Sequence, residues 1–203
     1  CFTVSTMPSA PVVWSKKNIQ KASNISQKHI LLINAGNANA FTGEEGLLAC
    51  EEKALALASI FKCDKKSILF ASTGVIGEKL PYKELISHFD HLKEKLSTSS
   101  FKAACNAILT TDLKPKAYSS TFKICNELFT ISGFAKGSGM IYPNMATMLA
   151  FIFTDFAIDK KTLSSLTKKA VDESFNRISV DGDTSTSDSV FVSTTNKKVL
   201  KVI

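Results

Sequence analysis

The chain has 203 residues, 44% of them hydrophobic and 21% charged, a balance that supports one sizeable folded core and excludes a disordered polypeptide. Its net charge of +7 is carried almost wholly by scattered lysines, with Arg177 the single arginine, which argues for solvated surface over nucleic-acid readout. No apolar run reaches the roughly 18 residues of a bilayer span, and Cys1 to Ser5 shows no signal-peptide pattern. The five cysteines are odd in number and include no C-x-x-C pair, so reduced, mostly buried thiols in a cytoplasmic protein are expected, without disulfides or zinc.

Apolar runs and turn residues mark the elements. Residues 30–34 read as a strand feeding the Asn- and Gly-rich stretch 34–40. Residues 44–61 follow a helical period, with Leu47, Cys50, Ala54, Leu57, Ala58 and Phe61 forming one buried stripe. A second strand over 67–72 is broken by Thr73-Gly74, and helices are expected over 82–96 and 100–109. Residues 118–124 and 127–134 form a hairpin turning at Cys125-Asn126. The next strand, 145–154, is apolar on both faces and belongs in the centre of a covered sheet. Asp159 caps a helix over 160–174 with Leu163, Leu166, Ala170 and Val171 inward, and 189–194 and 199–203 are further strands. Helices and strands mixed in this way give an α/β or α+β layered domain, with no internal repeat or low-complexity linker.

Several constellations invite chemistry. His88 and His91 stand at i, i+3, but no third ligand is near, so an exposed helix face is the better account. The run Asp181-Gly182-Asp183-Thr184-Ser185-Thr186-Ser187-Asp188 lacks the sixth-position glycine and closing glutamate of a calcium loop. The glycines around Lys136 do not make a P-loop, which ends in Gly-Lys-Ser/Thr before a helix. The most suggestive stretch runs from Lys136-Gly137-Ser138-Gly139 through Pro143 to Ala146-Thr147 at the head of an apolar strand. On local physics alone the better account is a loop entering a core strand, because threonine suits any pleated surface.

That stretch, residues 136–151, resembles the signature of the ornithine acetyltransferases (glutamate N-acetyltransferases) of arginine biosynthesis. Residues 34–40, 71–77, 110–112 and 174–183 resemble that family too, in the same order along the chain. The resemblance implies a sheet-on-sheet sandwich flanked by helices, of the N-terminal-nucleophile-like, self-processing kind. Family members are longer, and the chain lacks an initiator methionine, so it is expected to be a single partial domain. Residues 1–146 would be an α chain and 147–203 the start of a truncated β chain.

The resemblance also implies site residues. Thr147 would be the nucleophile, freed by cleavage between Ala146 and Thr147 so that its own amine serves as the base. Ala146 is small enough to admit the attack, Pro143 stiffens the approach, and Gly137 and Gly139 permit a sharp path. Thr73 and Gly74 match the oxyanion donors, and Thr110, Lys136 and Thr147 match substrate contacts, with Thr111 beside them. Taken alone, Thr73-Gly74 is an ordinary turn, Lys136 a surface lysine, and Thr110 a helix-end hydroxyl.

The implied reaction moves acetyl from N2-acetyl-L-ornithine to L-glutamate through an acetyl-threonine, with no metal or organic cofactor. Acetyl-CoA is a further donor in some relatives. The expected assembly is an oligomer of cleaved α and β chains. The alternatives are a self-processing aminopeptidase or amidohydrolase of related fold, or an inactive piece that needs its C-terminal half.

Overall fold

The structure, a computed structural model, describes residues 1–21, 29–141 and 148–199. Its layers follow from alternation along two short strands. In β1 (Ile30–Asn37), Ile30 and Leu32 face one way, and Leu31 and Ile33 the other. In β2 (Ile68–Val75), Ile68 and Phe70 likewise oppose Leu69 and Ala71. The strands pair in parallel from Ile30 opposite Ile68 to Gly36 opposite Gly74. A parallel pair needs a long crossover, and α2 (Gly43–Phe61) supplies it.

One face of this pair packs on α2 and on α1 (Ala10–Lys21), through Ala10, Cys50, Ala54 and Leu57, with Phe89 joining the same cluster from a later helix. Two polar side chains of α1 fix its height on the sheet. The Trp14 indole donates to the Ile68 carbonyl at 2.9 Å, and the Ser15 hydroxyl donates to the Phe70 carbonyl at 2.9 Å.

The other face lies against a second sheet, ordered β3 (Lys116–Ile124), β4 (Glu127–Lys136), β5 (Leu149–Phe156) and β6 (Ser189–Lys198). Phe134, Leu149, Phe151 and Phe191 point inward to Leu69 and Ala71, and Cys105 and Ile108 complete that core. Each such side chain contributes about 1.5–3 kcal/mol on burial. Alternate residues Met148, Ala150 and Val190 point outward and meet Val171 of α6 (Lys160–Glu173), which joins the parallel strands β5 and β6. The stack is helix, sheet, sheet, helix, the expected α/β sandwich flanked by helices.

Several sequence expectations match in detail. The hairpin turns at Cys125 and Asn126, both at positive φ (46° and 64°), the geometry a two-residue hairpin favours because it follows the strand twist. Asp159 caps α6, its carboxylate accepting from the Thr162 amide at 3.0 Å.

Others need correction. The α2 stripe is rotated: Leu47 is 43% exposed and Phe61 half-buried, while Gly46, Ala49 and Lys53 are inside. Leu47, Leu48 and Leu55 spread leucine around the helix, so apolar spacing did not select one face. In α6, Val171 is buried, Leu163 is half-buried, and Leu166 and Ala170 are exposed, because only the C-terminal part reaches the sheet core. The expected helix over 82–96 is two, α3 (Tyr82–Ser87) and α4 (Phe89–Glu94), with the break at His88 turning Phe89 into the α2 core. A shorter helix, α5 (Phe101–Ala107), stands for 100–109. The cysteines are free; Cys50 and Cys105 are buried, Cys1 and Cys63 half-buried, and Cys125 exposed at the hairpin turn. Of the expected strand over 199–203, residues 200–203 lie outside the described residues, and so do 145–147 of the strand over 145–154.

Candidate active site

The parallel strands β1 and β2 end together, and there the first correction bears on function. β2 is not broken at Thr73-Gly74 but pairs on to Val75, with Thr73 opposite Ala35 and Gly74 opposite Gly36. Both glycines sit at positive φ (96° and 129°), which keeps the ladder going where side chains would stop it. A methyl group on Gly74 would clash with the Gly36 carbonyl and lie 2.6 Å from the Asn37 nitrogen. Asparagines brace these strand ends. Ser72 donates to the Asn34 side chain at 2.7 Å, the Asn39 amide donates to the Asn37 side chain at 2.7 Å, and Asn39 donates to the Gly46 carbonyl at 3.0 Å.

Lys136 is the last residue of β4 and shares the inner face with Phe134, so it projects between the sheets towards β2. It is 4% exposed. Its ammonium donates to Thr73 Oγ1 at 2.9 Å and to Thr110 Oγ1 at 2.6 Å, and stands 3.8 Å from Asp112 Oδ2. Thr110 reaches it from the loop after α5. Burial holds the Lys136 amine below the usual lysine range, against the upward pull of Asp112 and Asp188, with Lys116 adding a downward push.

Asp112 is the hub of the charge balance. Its side chain is fully buried, and its Oδ1 accepts from Lys116 at 2.6 Å and from the Gly137 amide at 2.8 Å. Burial alone would raise its pKa. The Lys116 hydrogen bond, the Gly137 amide and the two neighbouring ammonium groups outweigh that and hold the carboxyl below its ordinary range.

An ammonium can only donate. The oxygens of Thr73 and Thr110 therefore accept from Lys136, and their own protons are free to point elsewhere. The cluster can offer two hydroxyl donors polarised by one buried cation, at the mouth of two parallel strands. That is the composition of a site that stabilises developing negative charge.

Of the residues expected from the sequence, Thr73, Thr110 and Lys136 come together, Gly74 follows Thr73, and Thr111 is exposed beside Thr110. Ala146 and Thr147 lie outside the described residues, as do Tyr142 and Pro143. Their described neighbours are held. Ile141 exchanges hydrogen bonds with Val180 at 2.7 and 2.6 Å, and the Met148 amide donates to Asp188 at 2.6 Å. Sequence reasoning gave no role to Asp112 or Asp188. The one signal for Asp112 was a carboxylate directly after two hydroxyls. Asp188 sat unassigned in a turn-rich run. His88 is exposed at the helix break, and among the described residues no three His, Cys, Asp or Glu gather to hold a metal. Nor is any helix among the described residues long and apolar enough to cross a membrane.

Comparison with known proteins bears on the family and the fold. The ArgJ family model matches residues 1–201. The arginine biosynthesis bifunctional protein ArgJ of Colwellia psychrerythraea is 44% identical over 203 residues, covering 97% of this chain and 48% of that protein. The protein of the same name from Pseudomonas fluorescens is 42% identical, covering 100% and 49%. The chain thus spans about half the length of the curated relatives it matches. Among solved structures, the arginine biosynthesis bifunctional protein ArgJ of Bacillus halodurans superposes with a TM-score of 0.61 at 31% identity, over 71% of this chain and 74% of that one. Ornithine acetyltransferase complexed with ornithine, from Mycobacterium tuberculosis, gives 0.59 at 27% identity, over 70% and 74%.

Proposed function

The chain belongs to the ArgJ family, and from that membership we propose that it carries acyl-transfer machinery moving acetyl from N2-acetyl-L-ornithine to L-glutamate in arginine biosynthesis. The observation that supports the reading best is Lys136 donating to both Thr73 and Thr110 beside Gly74. The names of the relatives point the same way, to arginine biosynthesis and to ornithine.

The chemistry starts with self-cleavage. Thr147 Oγ attacks the Ala146 carbonyl, the Ala146–Thr147 C–N bond breaks, and water then hydrolyses the resulting ester. The products are an α chain of residues 1–146 and a β chain beginning at Thr147, whose free amine takes the hydroxyl proton. In transfer, Thr147 Oγ adds to the acetyl carbonyl and passes its proton to that amine. Thr73 and the Gly74 amide stabilise the oxyanion, a contribution of about 2.7–4 kcal/mol per donor. The C–N bond to ornithine breaks, and the amine returns the proton to the leaving nitrogen. The amino group of glutamate then attacks the acetyl-threonine ester, and the bond between acetyl and Thr147 Oγ breaks. The Thr147 amine carries a proton from the attacking nitrogen back to Oγ, and N-acetylglutamate leaves. Lys136 and Thr110 hold the substrate end of the site. No step calls for a metal or an organic cofactor. Acetyl-CoA is an additional donor to assay, and the cytoplasm is the proposed compartment.

Intact mass spectrometry tests the first step, since a cleaved chain gives two species divided between Ala146 and Thr147. Incubation with N-acetylornithine should then acetylate the Thr147 peptide, and transfer should follow ping-pong kinetics. A single uncleaved chain with full activity ends the proposal, as does normal transfer by Thr147→Ala.

The coverage of about half of each relative favours one addition. Activity should need the portion of the relatives that this chain does not span. Adding a polypeptide covering that portion should raise transfer by the 203-residue chain. Full activity without it removes the requirement.

A further inference from the structure

We infer that Lys116 is a positioning residue for Lys136: it engages Asp112, so that the Lys136 ammonium is left to the hydroxyls of Thr73 and Thr110. For catalysis this role rests on the proposed function; the contacts behind it do not.

The separation between two buried charges needs a cause. The side chains of Lys136 and Asp112 are 3% and 0% exposed, and opposite charges in the interior attract more strongly the closer they come. Yet the ammonium stops 3.8 Å from Asp112 Oδ2, beyond the hydrogen-bond range of about 2.7–3.2 Å. Oδ2 has no hydrogen-bond partner among the described residues. Lys136 directs two of its three donors to neutral hydroxyls instead, at 2.9 and 2.6 Å.

Lys116 supplies the cause. It opens β3 opposite Ala135 of β4, and its ammonium donates to Asp112 Oδ1 at 2.6 Å and to the Gly137 carbonyl at 3.0 Å. The Gly137 amide donates to the same Oδ1 at 2.8 Å. Ammonium, carboxylate and the Gly137 backbone thus close a ring that anchors Asp112 by one oxygen. Peptide groups are planar, and the Gly137 N–H shares its plane with the Lys136 Cα and carbonyl. The ring therefore also fixes the base of the Lys136 side chain.

Charge acts in the same direction. The charged groups felt by Lys136 are Asp112 from the loop after α5, Lys116 from β3 and Asp188 from before β6, while β2 presents the neutral Thr73. Asp112 favours the charged form of Lys136 and Lys116 opposes it, so Lys136 meets a balanced ion pair and not a bare carboxylate. A tether for the loop would need only a neutral donor to the Gly137 carbonyl. Lys116 puts its shorter bond on the carboxylate, the group that would otherwise capture Lys136.

The test is an NMR titration of the folded 203-residue chain through the alkaline range, with lysine Cε and threonine methyl carbons labelled. It compares the parent, Lys116→Met and Lys116→Arg, with thermal melting of each. In the parent, the methyl signals of Thr73 and Thr110 should shift together with the Lys136 Cε signal, because both hydroxyls accept from that ammonium. In Lys116→Met, Lys136 should lose its proton at a higher pH than in the parent. The two methyl signals should then stop following it, as the ammonium turns to Asp112. Lys116→Arg keeps the charge and should restore both behaviours. If methionine does not fold, Lys116→Gln, neutral but still a donor, takes its place with the same expectation. A mere loop tether would lower the melting temperature of the methionine or glutamine variant and leave the methyl titration intact, which overturns the inference. Lys136 titrating no higher in that variant overturns it too, as do parent methyls that ignore Lys136 and an arginine variant that behaves like methionine. Absence of acetyl transfer from the complete protein would count against the proposed function instead, and these titrations would stand.

Discussion

Two lysines are buried on opposite faces of β2, and their surroundings could hardly differ more. Lys53, on α2, is 0% exposed. Its ammonium has no hydrogen-bond partner among the described residues and lies 4.6 Å from the centre of the Phe70 ring. Lys136 comes from the other side and meets Thr73, Thr110 and Asp112. Phe70 and Thr73 are neighbours on one strand, three positions apart, and pleating sends them to opposite faces. Burial lowers the proton affinity of both lysines, with Cys50 the opposing influence at Lys53 and Asp112 at Lys136. Burial of a charge therefore does not mark a site. A site is marked where the buried charge has oxygen partners that can present their own protons to a substrate.

Exchanging each lysine for a neutral residue is the strongest way to break this comparison. Lys136→Met should slow scission and acetyl transfer by about 10²–10³-fold, the range for losing a preorganised donor. Lys53→Met should leave both rates at the parental level. Equal loss in the two variants, measured by intact mass and transfer assays, would abolish the distinction. Next in size is Thr73→Val, which removes the hydroxyl and leaves Lys136 short of an acceptor. It should lower kcat by about 10²-fold, with KM little changed, in steady-state assays of the active protein.

Asp112→Asn removes the charge that balances Lys136 and weakens the bonds to Lys116 and Gly137. Breaking a buried pair by one partner costs about 3–5 kcal/mol, so urea unfolding should show a loss of that order. Lys53→Met has the smallest effect and the opposite sign. Replacing an unpaired buried charge with an apolar side chain should be neutral or stabilising by about 1 kcal/mol, read from the same urea curves.

Proton linkage sharpens the contrast further. Both lysines have folded-state affinities below their unfolded value of about 10.4. Between the folded and unfolded pKa values the unfolded chain binds more protons, so stability rises with pH through that window. Below it both states are protonated, and the destabilisation by the buried charges is fully present. Lys53→Met should remove its share of the rise, measured as the urea midpoint across the alkaline range. Transfer activity should fall over the same range as Lys136 loses its charge. Activity that tracks stability upward would contradict the assigned role of Lys136.

Much of the scaffold is legible in the sequence because it rests on local rules. Cys125-Asn126 between two alternating runs forms the two-residue turn it predicts, and Asp159 caps its helix as its position predicts. The errors fall where local rules are degenerate. Leucines at 47, 48 and 55 surround α2, so periodicity placed Leu47 inside and gave no reason to bury Lys53. Thr73-Gly74 looks like a strand ending, because glycine is a turn residue by default. Only the partner Gly36, also at positive φ, lets the ladder continue.

The sequence by itself determined the order of strands and helices, the family, and a short set of candidate hydroxyls, glycines and one lysine, because propensity, turn chemistry and motif spacing act over a few residues. The tertiary structure alone decided that Lys136 meets Thr73 across 63 positions and Thr110 across 26. It also decided that Asp112 balances that lysine and that Asp188 reaches the Met148 amide across 40. Those contacts exist only when two sheets stack face to face. No local pattern encodes which inward side chain of one sheet will lie opposite which strand of the other.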